Sequence, residues 1–299
     1  MEILYFIIKV SVFYIILITI AAYLSLFERK LIGRIQLRRG PSYCGKFGLL
    51  QPLADGLKLF FKYDCLKNHS IYSVFGVSLL LFCTLLQFSI NPISSSFCLL
   101  SSKYSLLYLI VINEIISFSE ILIGISSKSK FGIIGGMRVI FQKLSYDIPY
   151  TLLILCVSIL NDTLNIQKVN PKFSLLLIIA SIVFFIINLI KINHIPFDCV
   201  EAESELVAGA YTEYGGMLFG MIYLSDYLNV LFSAFVYTNL FIVTKNIIFF
   251  ILCSFLFISL VIMTRTLFPR YLQIQIIRTS YKYFIPICCL LLLWAINFN

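Results

Sequence analysis

NHIPFDCVEAESELVAGAYTEY, Asn193 to Tyr214, is the most acidic stretch of a 299-residue chain, and it lies between two long apolar runs. It holds Asp198, Glu201, Glu203, Glu205 and Glu213, more than a third of the 14 acidic residues. In a helix, Asp198, Glu201 and Glu205 would share one face at i, i+3 and i+7, with Glu203 on the other. Carboxylates held that close push protons onto one another and titrate as a set, which suits a proton store or relay. The alternative is a solvated acidic loop. The flanking apolar runs favour the relay, because ionisable groups at membrane depth are costly and usually line a water-filled path.

Outward from this segment the chain is too apolar for a soluble globule. It is 60% hydrophobic and 12% charged, with a mean hydropathy of +0.97; soluble domains are typically about half apolar and a quarter charged. The expected fold class is all-α, a polytopic integral membrane protein with about eight transmembrane helices, forming a single transmembrane domain over 1–299 with no internal repeat. The spans are expected near 3–27, 71–90, 104–125, up to Leu160, 175–190, from the glycines Gly209 to Gly220 onward, 246–264 and 284–296. Glu114 and Glu120 lie in the third span about 240° apart around a helix, so they do not share a face. Pro149 follows Asp147 closely; it should kink the fourth span or rearrange it locally, and a kink there frees carbonyls that can hold water beside a carboxylate. Gly216 and Gly220 have the spacing that permits close helix approach.

Residues 28–64 read as a basic loop ending in an amphipathic helix. Leu49, Leu50, Leu53, Leu57 and Phe60 fall on one helical face, Gln51, Asp55, Lys58 and Lys62 on the other, and Pro52 fits the first turn. A helix this charged should lie at the membrane interface, with Arg29, Lys30, Arg34, Arg38 and Arg39 able to meet anionic lipid or a neighbouring subunit. The net charge of +9 clusters beside the spans, so it calls for no nucleic acid. Loops after the odd spans carry about eighteen Lys or Arg against about four after the even ones, which sets the odd loops on the negative, matrix or cytoplasmic side. The amphipathic helix and the acidic segment then share a side and can wall one cavity.

Nine cysteines show no C-x-x-C pair or metal-ligand spacing, and the two histidines, His69 and His194, stand on different loops. No metal site is expected. Neither a G-x-G-x-x-G nor a P-loop is present. Electrons in any redox system served by this chain therefore travel through other subunits. The abundance of Phe and Tyr, with frequent Ile, Lys and Asn, suits translation from an AT-rich organellar genome.

Glu28-Arg29-Lys30, Gly33, Gln36, Arg38, Gly40-Pro41, Gly45, Gly48-Leu49-Leu50-Gln51-Pro52, Ala54-Asp55 and Lys58-Leu59, with SKSKFGIIGGMRVIFQKLSYD and PFDCVEAESELVAGAYTEY, carry a resemblance over essentially the whole chain. They resemble the chain 1 subunits of respiratory complex I, the proton-pumping NADH:ubiquinone oxidoreductase. Departures are Ser42 for Asn, Lys46 for Pro, a terminal PRYLQIQ lacking an acidic residue before Gln275, and Asp147 and Asp226 where the family carries Glu.

The resemblance implies a core membrane subunit that forms the quinone chamber and couples quinone reduction to proton translocation. It assigns Glu28, Arg29, Arg38, Asp55 and Asp198 to the chamber. Asp147, Glu201, Glu203, Glu205, Glu213 and Asp226 fall to the acidic path, with Arg138 a basic partner. Ubiquinone is the implied substrate, with nothing bound covalently; NADH, FMN and iron-sulfur clusters belong to partner subunits of the redox arm. Further implied partners are adjacent membrane-arm subunits and lipids. The implied location is the mitochondrial inner membrane, with both termini on the intermembrane-space side; a bacterial inner membrane is the alternative. Three rival readings are the membrane subunit of a hydrogenase-type complex, which reduces no quinone, a proton or cation secondary transporter, which would show two related halves, and a structural membrane anchor, which leaves Asp147, Asp226 and the acidic cluster unexplained.

Overall fold

The computed structural model describes residues 2–62, 70–92, 99–169, 175–198, 206–242 and 246–298. In lipid each backbone N–H and C=O must be satisfied within its own segment, so the apolar runs become helices. They are α1 (Glu2–Ile35), α2 (Gln51–Phe61), α3 (Ile71–Ile90), α4 (Ser105–Ser126), α5 (Lys130–Leu160), α6 (Leu175–Lys191), α7 (Gly216–Phe241), α8 (Ile247–Leu267), α9 (Gln273–Thr279) and α10 (Ile285–Phe298). Among the described residues there is no strand.

Among the described residues seven spans are long and apolar enough to cross a membrane, with α9 and α10 acting as one. The remaining expected span, the fifth along the chain, is α6, which is apolar but only 17 residues long. At 1.5 Å per residue that is about 25 Å, short of a typical ~30 Å hydrocarbon core. Its inner face buries Ala180, Phe184, Ile187 and Asn188 among neighbouring helices. The core joins Phe184 to Tyr146, Tyr150, Leu153, Leu228 and Phe241. Outward side chains such as Ile248, Phe255 and Leu256 remain apolar and exposed, as a lipid-facing surface requires.

Two helices overrun their expected ends. The first continues past Phe27 to Ile35, so Glu28, Arg29, Lys30 and Arg34 stand on α1 rather than on a loop. Gly33 alone interrupts good helix formers there, and the helix stops before Gly40-Pro41. The last begins at Gln273 instead of near Phe284, because no Gly or Pro breaks it before Pro286. A π-helical turn at Ser280–Phe284 joins α9 to α10 where that proline removes a donor.

A backbone-to-backbone helix approach is found at another glycine pair, Gly124 and Gly136. A Cβ at Gly220 would meet Leu59 at 3.6 Å, an ordinary contact. At Gly124 it would lie 2.5 Å from the Cα of Gly136, so α4 and α5 cross backbone to backbone. A Cβ at Gly135 would likewise meet the Ala210 nitrogen at 2.5 Å, which seats the end of the acidic segment against α5. α5 runs continuously through Pro149. The carbonyl this proline cannot serve, that of Ser145 four residues back, accepts from the Ser280 hydroxyl rather than being left to water.

Candidate functional site

The helix overrun of α1 brings Glu28 to the wall of a cavity of about 650 Å³. Its walls come from α1 and the turn after it (Glu28, Arg29, Arg38, Pro41), the segment following α6 (Asn193, His194, Asp198), α7 (Tyr223, Asp226, Tyr227) and the end of α8 (Arg265). Segments distant in sequence therefore meet at one end of the bundle. The size falls within the usual range for small-molecule sites, about 300–1,000 Å³.

Glu28, Arg265 and Arg29, which line this cavity, are ion-paired. Glu28 is only 3% exposed; Arg265 donates to its Oε1, and the Tyr227 hydroxyl donates to Oε2 at 2.6 Å. Tyr227 lies 3.0 Å from the Tyr223 hydroxyl, and Tyr223 lies beside Arg29 on the cavity wall. Arg29 donates to Asp55 on α2 at 2.8 Å, and Gln51 donates to the other Asp55 oxygen at 2.8 Å. One polar row thus runs from Arg265 through Glu28, the two tyrosines and Arg29 to Asp55. Asp198, also on the cavity wall, is buried and 3.6 Å from Arg270. Burial holds the His194 pKa below its ordinary value, with Arg265 adding to that effect and Glu28 opposing it.

α2 turns Asp55 toward Arg29 and Leu59 toward Gly220, and leaves Leu53, Leu57, Phe60 and Phe61 exposed. An apolar face outside and a charged contact inside is the geometry of a helix lying at the lipid boundary.

Behind the cavity a second polar group lies inside the bundle. Asn193 donates to Glu120 Oε2 at 3.1 Å, and Lys143 donates to Glu120 Oε1 at 3.1 Å. Lys143 also donates to the Lys191 carbonyl at 2.8 Å. The Lys191 ammonium is 2.8 Å from Asp147 and sits 3.8 Å above the Tyr150 ring. Lys143 and Glu120 are both buried. Breaking such a pair on one side leaves an uncompensated buried charge, at a cost of about 3–5 kcal/mol.

Six of the twelve residues expected from sequence lie at or next to this cavity. Glu28, Arg29, Arg38, Asp198 and Asp226 line the cavity, and Asp55 is tied to it through Arg29. Asp147 stands in the second group rather than at the cavity wall. Arg138 is half-buried on α5, its carbonyl 3.5 Å from Gln273, and Glu213 is exposed at the surface. Glu201, Glu203 and Glu205 lie outside the described residues. Sequence reasoning missed Arg265, Tyr223, Tyr227 and His194 in the cavity, and Lys143 and Lys191 behind it. The lysines left a signal: Lys143 is four residues before Asp147, and Lys191 closes an apolar run.

A bundle of apolar helices long enough to span a bilayer, with a charged cavity among them, defines a polytopic membrane protein. The profile of the NADH dehydrogenase family matches residues 8–296, and the chain belongs to that family. It is similar to NADH-ubiquinone oxidoreductase chain 1 of Cyanidium caldarium, 36% identical over 93% of this chain and 87% of that protein. It is also similar to an NADH-quinone oxidoreductase subunit of Rickettsia prowazekii, 35% identical over 93% of this chain and 88% of the relative. An NADH-quinone oxidoreductase subunit of Dehalococcoides mccartyi is 34% identical over 87% of this chain and 77% of its own length.

Proposed function

We propose that this chain is the membrane subunit of a proton-translocating NADH:quinone oxidoreductase in which the cavity at Glu28, Arg29 and Arg265 receives the quinone headgroup. The observation that carries this reading is a cavity of suitable volume whose wall charges are tied into one row, beside an amphipathic helix with its apolar face outward. A lipid-soluble substrate enters from the bilayer, and its polar head meets fixed donors and acceptors inside.

Electrons reach the quinone from an iron-sulfur centre in a partner subunit of the redox arm; NADH and FMN belong to that arm. Reduction to quinol adds two electrons and two protons. Until the protons arrive, added negative charge in a low-dielectric cavity favours protonation of nearby carboxyls. Glu28 and Asp226 face that charge directly, while Arg29, Arg265 and Arg38 offset it. The signal passes to Asp147 and, with Arg138 as a basic neighbour, along the acidic segment carrying Asp198, Glu201, Glu203, Glu205 and Glu213. The location that goes with this function is the mitochondrial or bacterial inner membrane, with the cavity end toward the redox arm on the matrix or cytoplasmic side.

The test is a Glu28→Gln variant of the assembled complex. NADH-driven quinone reduction should fall about tenfold or more, while NADH oxidation by an artificial acceptor that bypasses the cavity stays at the wild-type rate. Wild-type quinone reduction in an assembled Glu28→Gln complex overturns the chamber assignment.

A further inference from the structure

Gln87, Asn91, Asn113 and Asn239 are uncharged amides inside the bundle, and the quinone-chamber reading uses none of them. Their row begins at the buried charged group. The Lys191 ammonium sits 3.8 Å above the Tyr150 ring, and the Tyr150 hydroxyl accepts from Asn113 on α4 at 2.9 Å. Asn113 accepts in turn from Gln87 on α3. One helical turn further along α3, Asn91 accepts from Asn239 on α7 at 2.8 Å, and Asn239 also donates to the Pro92 carbonyl at 2.7 Å. Gln87 and Asn91 are 1% and 2% exposed.

The row leads away from the cavity, toward the membrane face where α3 and α7 end. Tyr227 lines the cavity from the first half of α7, and Asn239 stands in its last turn, about 18 Å further along the helix axis. Asn91 and Pro92 close α3 at the same face. Phe88, 1% exposed, packs edge-on against Phe232 and Phe235, with Leu106, Leu109 and Leu153 buried in the same core. The polar side chains that lead from Tyr150 to Pro92 are therefore all amides, set in hydrocarbon. An amide donates and accepts hydrogen bonds, but it neither binds nor releases a proton near neutral pH. Fixed groups of this kind occupy the space that water would need to carry protons.

We propose that Gln87, Asn91, Asn113 and Asn239 form a neutral seal that stops protons at the Lys191 group from leaking to the membrane face where α3 and α7 end. The inference rests on the reading of this chain as part of a proton-translocating complex and adds a boundary that such a complex requires. Polar side chains also hold membrane helices together, and this row joins α3, α4, α5 and α7. A seal depends on the space being filled, whereas helix attachment depends on the hydrogen bonds. Gln87 Oε1 and Asn91 Nδ2 have no protein partner, so water admitted beside them is held on entry. Truncating a side chain of the row opens a wet path; an apolar side chain of the same size keeps it dry.

The experiment uses the whole complex in sealed vesicles with an entrapped pH dye, and compares wild type with Asn113→Ala, Asn113→Leu, Gln87→Ala and Gln87→Met. Leu and Met nearly match the shapes of Asn and Gln, so the two variants at each position lose the same hydrogen bonds and differ in the space they leave. After an imposed pH step without NADH, the alanine variants should pass protons at least fivefold faster than wild type, and Asn113→Leu and Gln87→Met within twofold of it. With NADH, proton uptake per quinone reduced should fall at least twofold in the alanine variants, while uncoupled quinone turnover stays within twofold. If Asn113→Ala fails to assemble, Gln87→Ala decides. Alanine variants as tight as wild type overturn the seal. So does equal leakage from Asn113→Leu and Gln87→Met, which a row that only attaches helices predicts. Wild-type complex that takes up no protons with NADH overturns the proton-translocating reading instead, and the imposed step, which needs no turnover, still decides the seal.

Discussion

Glu28 on α1 is paired with Arg265 at the end of α8, 237 residues further along the chain. The carboxylate is buried and the guanidinium is 38% exposed, so the pair spans the boundary between the bundle and the cavity. Glu28 also accepts from Tyr227, which ties a third helix, α7, to the same charge.

Replacing Arg265 by Met leaves Glu28 with the Tyr227 hydroxyl and no paired cation. A fully buried pair broken on one side costs about 3–5 kcal/mol. Solvent at Arg265 lowers the expected loss to about 1–2 kcal/mol. The thermal inactivation half-life of Arg265→Met should shorten, and that of the Glu28→Gln/Arg265→Met double variant should recover. Quinone reduction should recover in neither. A double variant no more stable than the single one argues against the pair.

Asp55→Asn removes the charge that Arg29 meets on α2. Both side chains are substantially exposed, so the stability change should stay within about 1 kcal/mol. Quinone reduction should nevertheless fall severalfold relative to oxidation by an artificial acceptor, because the polar row loses its outer anchor. Equal loss of both activities indicates misassembly instead.

His194 makes the complex acid-sensitive. Its folded pKa lies below the unfolded value of about 6.5, so the unfolded chain binds the proton more readily. The stabilisation is present above about pH 6.5 and is lost as pH falls through the folded value. Half-lives measured at fixed temperature between about pH 5 and 7.5 should shorten on the acid side. His194→Gln should flatten that slope, and an unchanged slope contradicts the assignment.

Gly124→Ala places a methyl where the Cα of Gly136 already lies at 2.5 Å from the new atom. Backbone on both sides cannot yield, so α4 and α5 must separate, at a cost of about 1–3 kcal/mol. The amount of assembled complex on native gels should drop. Gly220→Ala, with its nearest neighbour at 3.6 Å, should assemble normally. The reverse ranking would make Gly216 and Gly220 the tight crossing after all.

Amino-acid sequence alone determined the membrane class, because hydropathy adds up residue by residue and needs no fold. It also set the helical face of α2, since the spacing of Leu53, Leu57 and Phe60 is local. Motif resemblance singled out Glu28, Asp55 and Asp147, each of which is ion-paired in the structure. The partners escaped it. Arg265 and Lys191 counted as topology-setting charges, and Lys143 drew no separate notice, because basic residues near spans are expected whatever they touch. Only tertiary structure decided that Lys143 meets Glu120 and that Lys191 meets Asp147. Those pairings depend on which helix faces come together, and the Gly124 to Gly136 crossing sets this for α4 and α5 through shape that no local pattern encodes. The helical expectation for Glu201, Glu203 and Glu205 falls outside the described residues. At Pro149, local chemistry foretold a freed carbonyl, but the chain fold chose Ser280, 135 residues away from that carbonyl, to occupy it.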